Sequence, residues 1–154
     1  MAGSNVANVW IRPFRADDDA AARQLTESSP EAAQWPLNAY ERLGALGTCG
    51  WVAETSGVAA GFLLVRVVPP EAEILNVAVA LAQRRRGIAT ALLAETEKAL
   101  RKDNVSRVFL EVRESNQAGI AFYEMHGFAR TGRRPRYYRD PEEAAVLMEK
   151  NLTA

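Results

Sequence analysis

The hydrophobic pattern of the 154-residue chain predicts alternating strands and helices. Short apolar or alternating runs, bounded by glycine, proline or acidic residues, are typical of strands. These runs lie at residues 9–14, 50–55, 57–68, 72–79, 106–113, 128–138 and 143–152. A Ser56-Gly57 pair separates the second run from the third and favours a hairpin turn.

Four segments have features of helices. Residues 15–28 begin with acidic side chains, which suit a helix N-terminus. Pro30 and Pro36 bracket a weaker helical region that reaches about Leu43. With strands and helices interleaved along the chain, the order predicts a mixed α and β domain.

The other two helical segments follow the central strands. Residues 88–101 place small or apolar side chains at 89, 92, 93, 96, 99 and 100, which is helical spacing. The opposite face then carries Thr90, Glu97, Lys98 and Arg101. Residues 116–126 form a shorter predicted helix that begins with an asparagine cap and has Gly127 just past its end.

Composition narrows the class of protein. Hydrophobic residues make up 48% and charged residues 25% of the chain, as in globular domains, and the zero net charge argues against a general nucleic-acid binder. No apolar run approaches the roughly 20 residues of a membrane helix, and no signal peptide is visible. A single cysteine fits a reducing compartment. We expect one cytoplasmic domain over residues 1–154, flexible at 1–8, as a monomer or weak dimer.

A glycine preceded by three arginines stands where a predicted strand meets a predicted helix. The segment consists of Arg84, Arg85, Arg86, Gly87, Ile88, Ala89 and Thr90. The unpartnered N–H groups and dipole of a helix N-terminus attract anions, and a glycine lets an anion approach the backbone. The segment lacks the lysine of a Walker loop and the three glycines of a dinucleotide fingerprint. From these residues alone, a solvated cationic turn remains equally open.

A second group of polar residues lies in the strand and helix that follow. Glu111 interrupts an apolar strand, where a carboxylate costs free energy unless it is paired or used, for instance as a general base. A strand-end ion pair with Arg107 or Arg113 is the alternative. Asn116 and Tyr123 are seven positions apart and share a helix face, so the phenol could serve as a proton donor. Core packing of that ring is the alternative.

Together these motifs resemble the GNAT superfamily of acetyl-CoA-dependent N-acetyltransferases. The matching segments are EILNVAV, RRRGIA, LEVRESNQAGIAFYEMHGF and RPRYY. They resemble in particular the RimI-type branch, which acetylates the N-terminal alanine of a small-subunit ribosomal protein. Arg84, Gly87 and Ala89 match the superfamily's pyrophosphate motif, Gln/Arg-x-x-Gly-x-Gly/Ala. The resemblance is strongest over residues 71–147 and weak before Trp51.

The resemblance implies a fold, a cosubstrate and partners. The fold would be of the α/β (α+β) class: a mixed central sheet of about six to seven strands, flanked by about four helices. CoA would lie in the cleft between splayed central strands. Acetyl-CoA would be the cosubstrate, without a metal, and the acceptor would be a protein or peptide N-terminus. Neither nucleic acid nor a membrane would be a partner.

The resemblance also implies roles for individual residues. Backbone groups of Val77, Ala78 and Val79 would bind the pantetheine arm and the acetyl carbonyl. Residues 84–90 would bind the pyrophosphate, and Asn116 would contact the CoA arm. Glu111 would be the general base, and Tyr123 would protonate the departing thiolate. The acceptor would meet Asn76, Tyr137 and Tyr138.

Several alternatives stay open. Glu73 occupies the position at which the lysine-directed histone-type branch carries its catalytic glutamate, although solvent exposure is the favoured interpretation. Cys49 is interpreted as a small packed side chain rather than a nucleophile. The basic cluster near the C-terminus is interpreted as a solvated surface rather than a contact for an acidic or ribosomal partner; it comprises Arg130, Arg133, Arg134, Arg136 and Arg139.

The function also has alternatives. A GNAT enzyme could instead acetylate a lysine or a small amine, because the acceptor site is built by the N-terminal half, where the resemblance is weakest. A CoA-binding sensor without catalysis is disfavoured by the intact Glu111, Asn116 and Tyr123. A nucleotide-binding protein is disfavoured by the missing P-loop lysine.

Overall fold

The computed structural model describes residues 5–6, 8–29, 47–84 and 87–152, and their strands form one eight-stranded sheet. The strands are β1 Asn5–Val6, β2 Val9–Pro13, β3 Thr48–Thr55, β4 Val58–Val68, β5 Glu71–Val79, β6 Arg107–Arg113, β7 Ala129–Tyr138 and β8 Glu143–Asn151. The helices within the same ranges are α1 Asp19–Glu27, α2 Ile88–Lys102 and α3 Gln117–Met125. None of them is long and apolar enough to cross a membrane.

The order of strands across the sheet is β1-β2-β3-β4-β5-β6-β8-β7. Neighbours are antiparallel except β5 and β6, which are parallel because α2 forms the crossover between them. The sheet is therefore mixed, as predicted, and the parallel pair lies near its middle.

All seven predicted strands are present, with ends that differ by no more than two residues from the sequence pattern. Ser56 and Gly57 have φ angles of 52° and 78°, the left-handed values of a tight hairpin turn. Within the N-terminal segment predicted to be flexible, residues 5–6 pair with β2, while residues 1–4 and 7 lie outside the described residues. The weaker helical region at 30–43 also lies outside them.

The two faces of the sheet carry different helices. Ile88, Leu92 and Ile120 from α2 and α3 pack on one face, within the larger hydrophobic cluster. Ala22 and Leu25 from α1 pack on the other face, within a smaller cluster around Phe62. Below, these are called the α2/α3 face and the α1 face.

An irregularity in β5 changes which side chains point to which face. Leu64 and Val65 are consecutive in β4, but they pair with Asn76 and Ile74, which leaves Leu75 as an extra residue in β5. Such a bulge bends its strand and resets the alternation of side chains. Ala72 and Ile74 precede the bulge and belong to the α2/α3 cluster, and residues 77 and 79 after it pack against the same cluster.

The buried face of α2 is wider than the sequence pattern predicts. Glu97, expected on the solvent side, is 7% exposed, and both of its carboxylate oxygens accept hydrogen bonds of 2.9 Å from Lys150 Nζ in β8. The expectation was wrong because helical spacing alone does not show which residues of a distant strand pack beside the helix. The Lys150 ammonium also lies 5.9 Å from the centre of the Phe128 ring.

Candidate active site

A cleft opens where the two parallel strands separate. Their pairing ends at Ile74 and Leu110, although β5 continues to Val79 and β6 to Arg113. The bulge at Leu75 lies at this point, so the bend it introduces explains why β5 leaves β6 there. The cleft has a volume of about 410 Å³. Its walls come from β5, β6, the N-terminus of α2, α3 and Tyr138.

The first wall carries the residues predicted to bind a cofactor along β5. Val77, Ala78 and Val79 line the cleft, and in the described ranges no strand pairs with their backbone on the β6 side. Asn76, the predicted acceptor contact, also lines the cleft and is 5% exposed. The split of the strands thus leaves backbone N–H and C=O groups of β5 directed into a partly apolar space.

The second wall is the start of α2. Gly87 caps this helix with a φ of 78°, in the left-handed region that favours glycine, and its carbonyl accepts from Ala91 N. Ile88, Ala89 and Thr90 follow it along the cleft, so the unpartnered N–H groups of the first turn lie at the wall. Thr90 Oγ1 is 3.1 Å from His126 Nε2 at the end of α3.

The arginines before Gly87 divide into one described residue and two that are not. Arg84 lines the cleft, and its side chain donates to Val79 O and to Ser29 Oγ, both at 3.2 Å. Arg84 therefore ties the loop to β5 and to the end of α1. Arg85 and Arg86 lie outside the described residues.

The third wall belongs to α3. Asn116 caps this helix as predicted, because its Oδ1 accepts from Gly119 N at 2.8 Å. Tyr123 packs its ring edge-on against Phe122 and Phe128, with centroid distances of 5.3 and 5.5 Å. Burial raises the pKa of Tyr123, and the nearby Tyr138 adds to this, so its hydroxyl stays protonated well above neutral pH. Asn116 and Tyr123 both line the cleft. The Tyr123 ring thus packs against the core, as one alternative predicted, and also faces the cleft.

Glu111 enters the cleft from the α1 face. Its neighbours Leu110 and Val112 point into the α2/α3 cluster, so the alternation of β6 directs Glu111 the other way. Its side chain is 15% exposed. Tyr137 donates a hydrogen bond of 2.9 Å to Glu111 Oε1, while Oε2 is buried and has no hydrogen-bond partner in the described part of the chain.

The expected ion pair of Glu111 has a different partner. Neither Arg107 nor Arg113 pairs with it; Arg134 Nε of β7 lies 3.3 Å from Oε2, too poorly aligned for a hydrogen bond. Arg107 pairs instead with Glu71 and Glu149. The prediction failed because β8 and β7, which follow in sequence, fold beside β6.

Glu73 is not solvent-exposed, contrary to the expectation. Its side chain is 16% exposed and pairs with Arg66 on the neighbouring strand β4. Burial raises its pKa; Arg66 opposes the rise and the nearby Glu111 adds to it. Cross-strand pairing explains the correction, because a polar residue near a strand end is covered when its neighbour supplies the opposite charge. Glu73 does not line the cleft.

Sequence reasoning missed a group of polar residues beside Tyr138. Arg113 is 8% exposed, and its guanidinium lies 4.5 Å from the centre of the Tyr138 ring. The same guanidinium contacts Glu143 of β8, whose other oxygen accepts from Ser115 N. Residues 113 and 143 are thirty positions apart, so no local pattern could reveal the pair.

Two further interpretations concern the surface. In the C-terminal arginine cluster, four members pair with glutamates: Arg130 with Glu124, Arg133 with Glu114, Arg134 with Glu111 and Arg136 with Glu142. Cys49 is exposed, which corrects the prediction of a packed thiol; it precedes the part of β3 that pairs with β2. Desolvation and Asp103 raise the pKa of that thiol, which disfavours a nucleophilic role.

Within the described ranges, no cluster of histidine, cysteine and acidic residues could hold a metal.

Comparisons with known proteins agree with this geometry. Residues 12–128 match the model of the acetyltransferase (GNAT) family. The chain is 40% identical over 95 residues to the ribosomal protein bS18-alanine N-acetyltransferase of Escherichia coli; the match covers 60% of this chain and 64% of that enzyme, less than two thirds of its length. The crystal structure of that Escherichia coli enzyme superposes with a TM-score of 0.84 at 29% identity, covering 95% of both chains.

Two further proteins extend the comparison. An N-alpha-acetyltransferase of Saccharolobus solfataricus is 35% identical over 91 residues, covering 56% of this chain and 54% of that protein. Arabidopsis thaliana NAA60, solved with acetyl-CoA, has a TM-score of 0.84 at 19% identity, covers 95% of this chain and 99% of its own, and supports the fold. The matched family model, the split sheet and the shared fold lead to one conclusion: the chain belongs to the GNAT acetyltransferase family and is similar to the RimI-type enzymes.

Proposed function

We propose that the protein transfers an acetyl group from acetyl-CoA directly to the α-amine of a protein N-terminus, with the N-terminal alanine of a small-subunit ribosomal protein as the expected acceptor. One observation carries the proposal. Glu111 and Tyr123 reach the same cleft from opposite faces of the sheet, because the strands separate between them. A base and an acid on opposite sides of a thioester suit a ternary complex without a covalent enzyme intermediate.

The cleft fits acetyl-CoA in three respects. The open edge of β5 at Val77, Ala78 and Val79 offers N–H and C=O groups to the amides of the pantetheine arm, in the manner of strand addition. Residues 84–90, with the N-terminus of α2, supply N–H groups and positive charge for the pyrophosphate. Since Asn116 Oδ1 is used in its helix cap, the amide N–H groups are the part of this side chain suited to the CoA arm. When bound, acetyl-CoA supplies the electrophilic thioester carbonyl.

The acceptor must lose a proton to attack. An α-amine has a pKa near 8, so roughly a tenth of it is neutral at pH 7, against well under 1% of a lysine side chain. Glu111 accepts the proton as the new C–N bond forms, and the buried Oε2 without a hydrogen bond is the oxygen suited to receive it. Holding amine and thioester in line supplies much of the acceleration.

The leaving group needs a proton in turn. As the C–S bond breaks, the electron pair stays on sulfur, and Tyr123 donates its phenolic proton there. Its raised pKa keeps the hydroxyl protonated, which is the form the step requires. Solvent returns the proton to Tyr123 afterwards.

Glu111 is a better base than Glu73 because Glu111 lines the cleft, whereas Glu73 does not. Each carboxylate pairs with an arginine, Glu73 with Arg66 and Glu111 with Arg134, so the choice rests on position. On the acceptor side, Asn76, Tyr137 and Tyr138 remain the proposed contacts.

The acceptor class rests on the names of the relatives, an alanine N-acetyltransferase and an N-alpha-acetyltransferase. Because both matches cover less than two thirds of those proteins, the acceptor is the part of the proposal that most needs a test. A ribosomal-protein N-terminus also keeps the cytoplasm as the expected compartment.

Release of free CoA with a panel of acceptors tests the proposal. The panel contains peptides with N-terminal alanine, peptides whose only amine is an internal lysine, and small polyamines. We expect turnover on the alanine peptides, and a loss of at least tenfold in kcat for Tyr123→Phe with an unchanged Kd for acetyl-CoA. Turnover confined to lysine or polyamine acceptors would refute the N-terminal assignment. Tight binding of acetyl-CoA without turnover on any acceptor would favour a sensor.

A further inference from the structure

The side chain of Arg113 organises the end of β6 that faces the cleft. It lies two residues after Glu111, on the same face of the strand, and is almost fully buried. Nη1 donates to Pro141 O and to Glu143 Oε1, both at 3.2 Å, and Nη2 donates to Arg139 O at 3.3 Å. A buried guanidinium with this many acceptors is fixed in one orientation, because leaving any donor unpaired costs free energy.

Glu143 extends this contact to the cofactor side of the cleft. Its Oε1 accepts from Arg113, and its Oε2 accepts from Ser115 N at 2.5 Å. Hydrogen bonds from the side chain and the backbone of Ser115, together with the contact with Arg113, lower the pKa of Glu143 against the effect of desolvation, so the carboxylate is charged at neutral pH. Ser115 immediately precedes Asn116, the cap of α3. One carboxylate therefore joins the β7–β8 turn to the loop that places Asn116.

The β7–β8 turn needs such a support, because the sheet ladder does not hold its tyrosines. Strand β8 separates β7 from β6, yet Tyr137 of β7 reaches Glu111 of β6. It does so within an irregular stretch: Arg134 pairs with Ala145, but Tyr138 pairs with Glu143, so four steps along β7 match two along β8. Arg136 in this stretch has a φ of 55°, a costly value for a residue with a side chain.

We propose that Arg113 and Glu143 form a positioning pair that holds the acceptor-side tyrosines, Tyr137 and Tyr138, and the cofactor-side cap Asn116 in one fixed arrangement. The pair contacts neither substrate in this scheme. It acts through Tyr138, on which the guanidinium stacks, through the turn carbonyls of residues 139 and 141, and through Ser115 N. This inference rests on the proposed function, because it assigns the two sides of the cleft to acceptor and cofactor.

The consequence for catalysis is geometric. A displacement of about 1 Å in a positioned group costs up to a hundredfold in rate. Without the Arg113 guanidinium, the β7–β8 turn loses two carbonyl contacts and one ion pair. Tyr138, whose ring packs edge-on against Tyr137 at 5.0 Å, loses the contact that supports it. Loss of the Glu143 side chain breaks the ion pair and the Ser115 contact but leaves the guanidinium in place.

The test compares Arg113→Gln and Glu143→Ala with a matched control, Arg12→Gln. Arg12 is largely covered, with a side chain that is 13% exposed; it donates to Asp18 at 2.7 and 2.8 Å and pairs with Glu54 of β3, three strands away from β6. We expect Arg113→Gln and Glu143→Ala to lower kcat/KM for the acceptor peptide at least about tenfold and to raise its KM. Arg12→Gln should lower Tm by a similar amount while leaving kcat/KM within about twofold.

A double-mutant cycle adds a measurement that a purely structural role would not move. If the two residues act as one unit, the double variant should lose no more kcat/KM than the worse single variant. Additive losses, or kcat/KM within twofold of the wild type in both folded single variants, would overturn the inference. Should Arg113→Gln fail to fold, Glu143→Ala alone decides by the same criterion.

Failure of the proposed function can be distinguished from failure of the positioning pair. If the proposed function is wrong, the wild-type protein itself is inactive; if only the pair is wrong, the wild type is active and the variants are unaffected. In that case the Kd for acetyl-CoA still tests the pair, because loss of the Ser115 contact should raise it at least about threefold in Glu143→Ala and leave it unchanged in Arg12→Gln. An unchanged Kd in Glu143→Ala would then count against the positioning pair.

Discussion

The hydrogen bond from Tyr137 to Glu111 leads to a prediction that distinguishes two roles for this tyrosine, support of the Glu111 carboxylate and binding of the acceptor. In Tyr137→Phe, Glu111 Oε1 loses its 2.9 Å hydrogen bond, while Arg134 stays 3.3 Å from Oε2. The hydrogen bond is the main reason that the pKa of Tyr137 is raised, and it holds the Glu111 carboxylate in one orientation. Removing it should therefore lower kcat, whereas loss of an acceptor contact alone would raise only the KM for the acceptor.

The magnitude follows from the strength of the contact. A hydrogen bond to a charged group contributes about 1.5–3 kcal/mol when it is well shielded. Tyr137 is 44% exposed, so solvent screening brings the value slightly below this range, to about 1.4 kcal/mol. Because about 1.4 kcal/mol corresponds to a factor of ten in rate, kcat for an N-terminal alanine peptide should fall about tenfold.

The assay is release of CoA with a saturating acetyl-CoA concentration and a varied concentration of an N-terminal alanine peptide, so that kcat and KM are separated. Tyr138→Phe is the matched control, because it keeps the ring that stacks on Arg113 and removes a hydroxyl that is not bonded to Glu111. Its kcat should stay within about twofold of the wild type. A higher acceptor KM in Tyr137→Phe with an unchanged kcat would refute the reasoning and assign this tyrosine to acceptor binding alone.

Three further predictions concern the helix cap, the core and the pH dependence of stability. Gly87→Ala and Gly57→Ala both force a φ of 78° on alanine, so each should cost about 1–2 kcal/mol of unfolding free energy in denaturant titrations. Calorimetry should show weaker acetyl-CoA binding only for Gly87→Ala. Gly57 lies in the β3–β4 turn, and nothing lies within 4 Å of a Cβ added there. Lys150→Met leaves the buried Glu97 carboxylate with only the longer contact to Arg101, at 3.7 Å, and should cost about 3 kcal/mol, or a Tm lower by about 6–12 °C. Adding Glu97→Leu should restore most of the loss, and equal Tm values for the single and double variants would contradict the buried pair. Burial would raise the pKa of Asp18, but the hydrogen bonds that its carboxylate accepts outweigh this and lower the pKa below 3.8. The carboxylate therefore contributes fully to stability above that pH, and its contribution is lost as the pH falls through the folded-state pKa. The stability deficit of Asp18→Asn in urea titrations should shrink below pH 3.8, and a constant deficit would contradict the assignment.

Local patterns predicted most of the fold, because burial on one face fixes the spacing of apolar residues. The helix cap at Asn116 and the turn at Ser56-Gly57 were predictable for the same reason: each depends on chemistry within three residues. The junction at Gly87 was also found from sequence, since a helix start and a residue tolerant of positive φ are local features.

Features that join distant parts of the chain were not predictable. Glu97 and Lys150 are 53 residues apart, and nothing around Glu97 distinguishes it from a solvent-facing glutamate. Glu73 was expected at the surface, because its sequence neighbours do not show that Arg66 covers it from the neighbouring strand β4. The role of Tyr123 came from the resemblance to a family, because the residues alone favoured core packing. For Glu111 the residues alone favoured a use of the carboxylate over an ion pair, and the resemblance made that use a general base.

The extra residue at Leu75 has a consequence for how this chain tolerates change. Before it, β5 is held by a strand on each side, and after it, by β4 alone on one side and the cleft on the other. Substitutions along β5 alter one side chain at a time. Deletion of Leu75 would instead make Ile74 and Asn76 consecutive opposite Val65 and Leu64, so the ladder would be unbroken, every later residue would keep its face, and the bend that separates β5 from β6 would be lost. The number of residues in the strand, more than the identity of any one side chain in it, therefore keeps the cleft open.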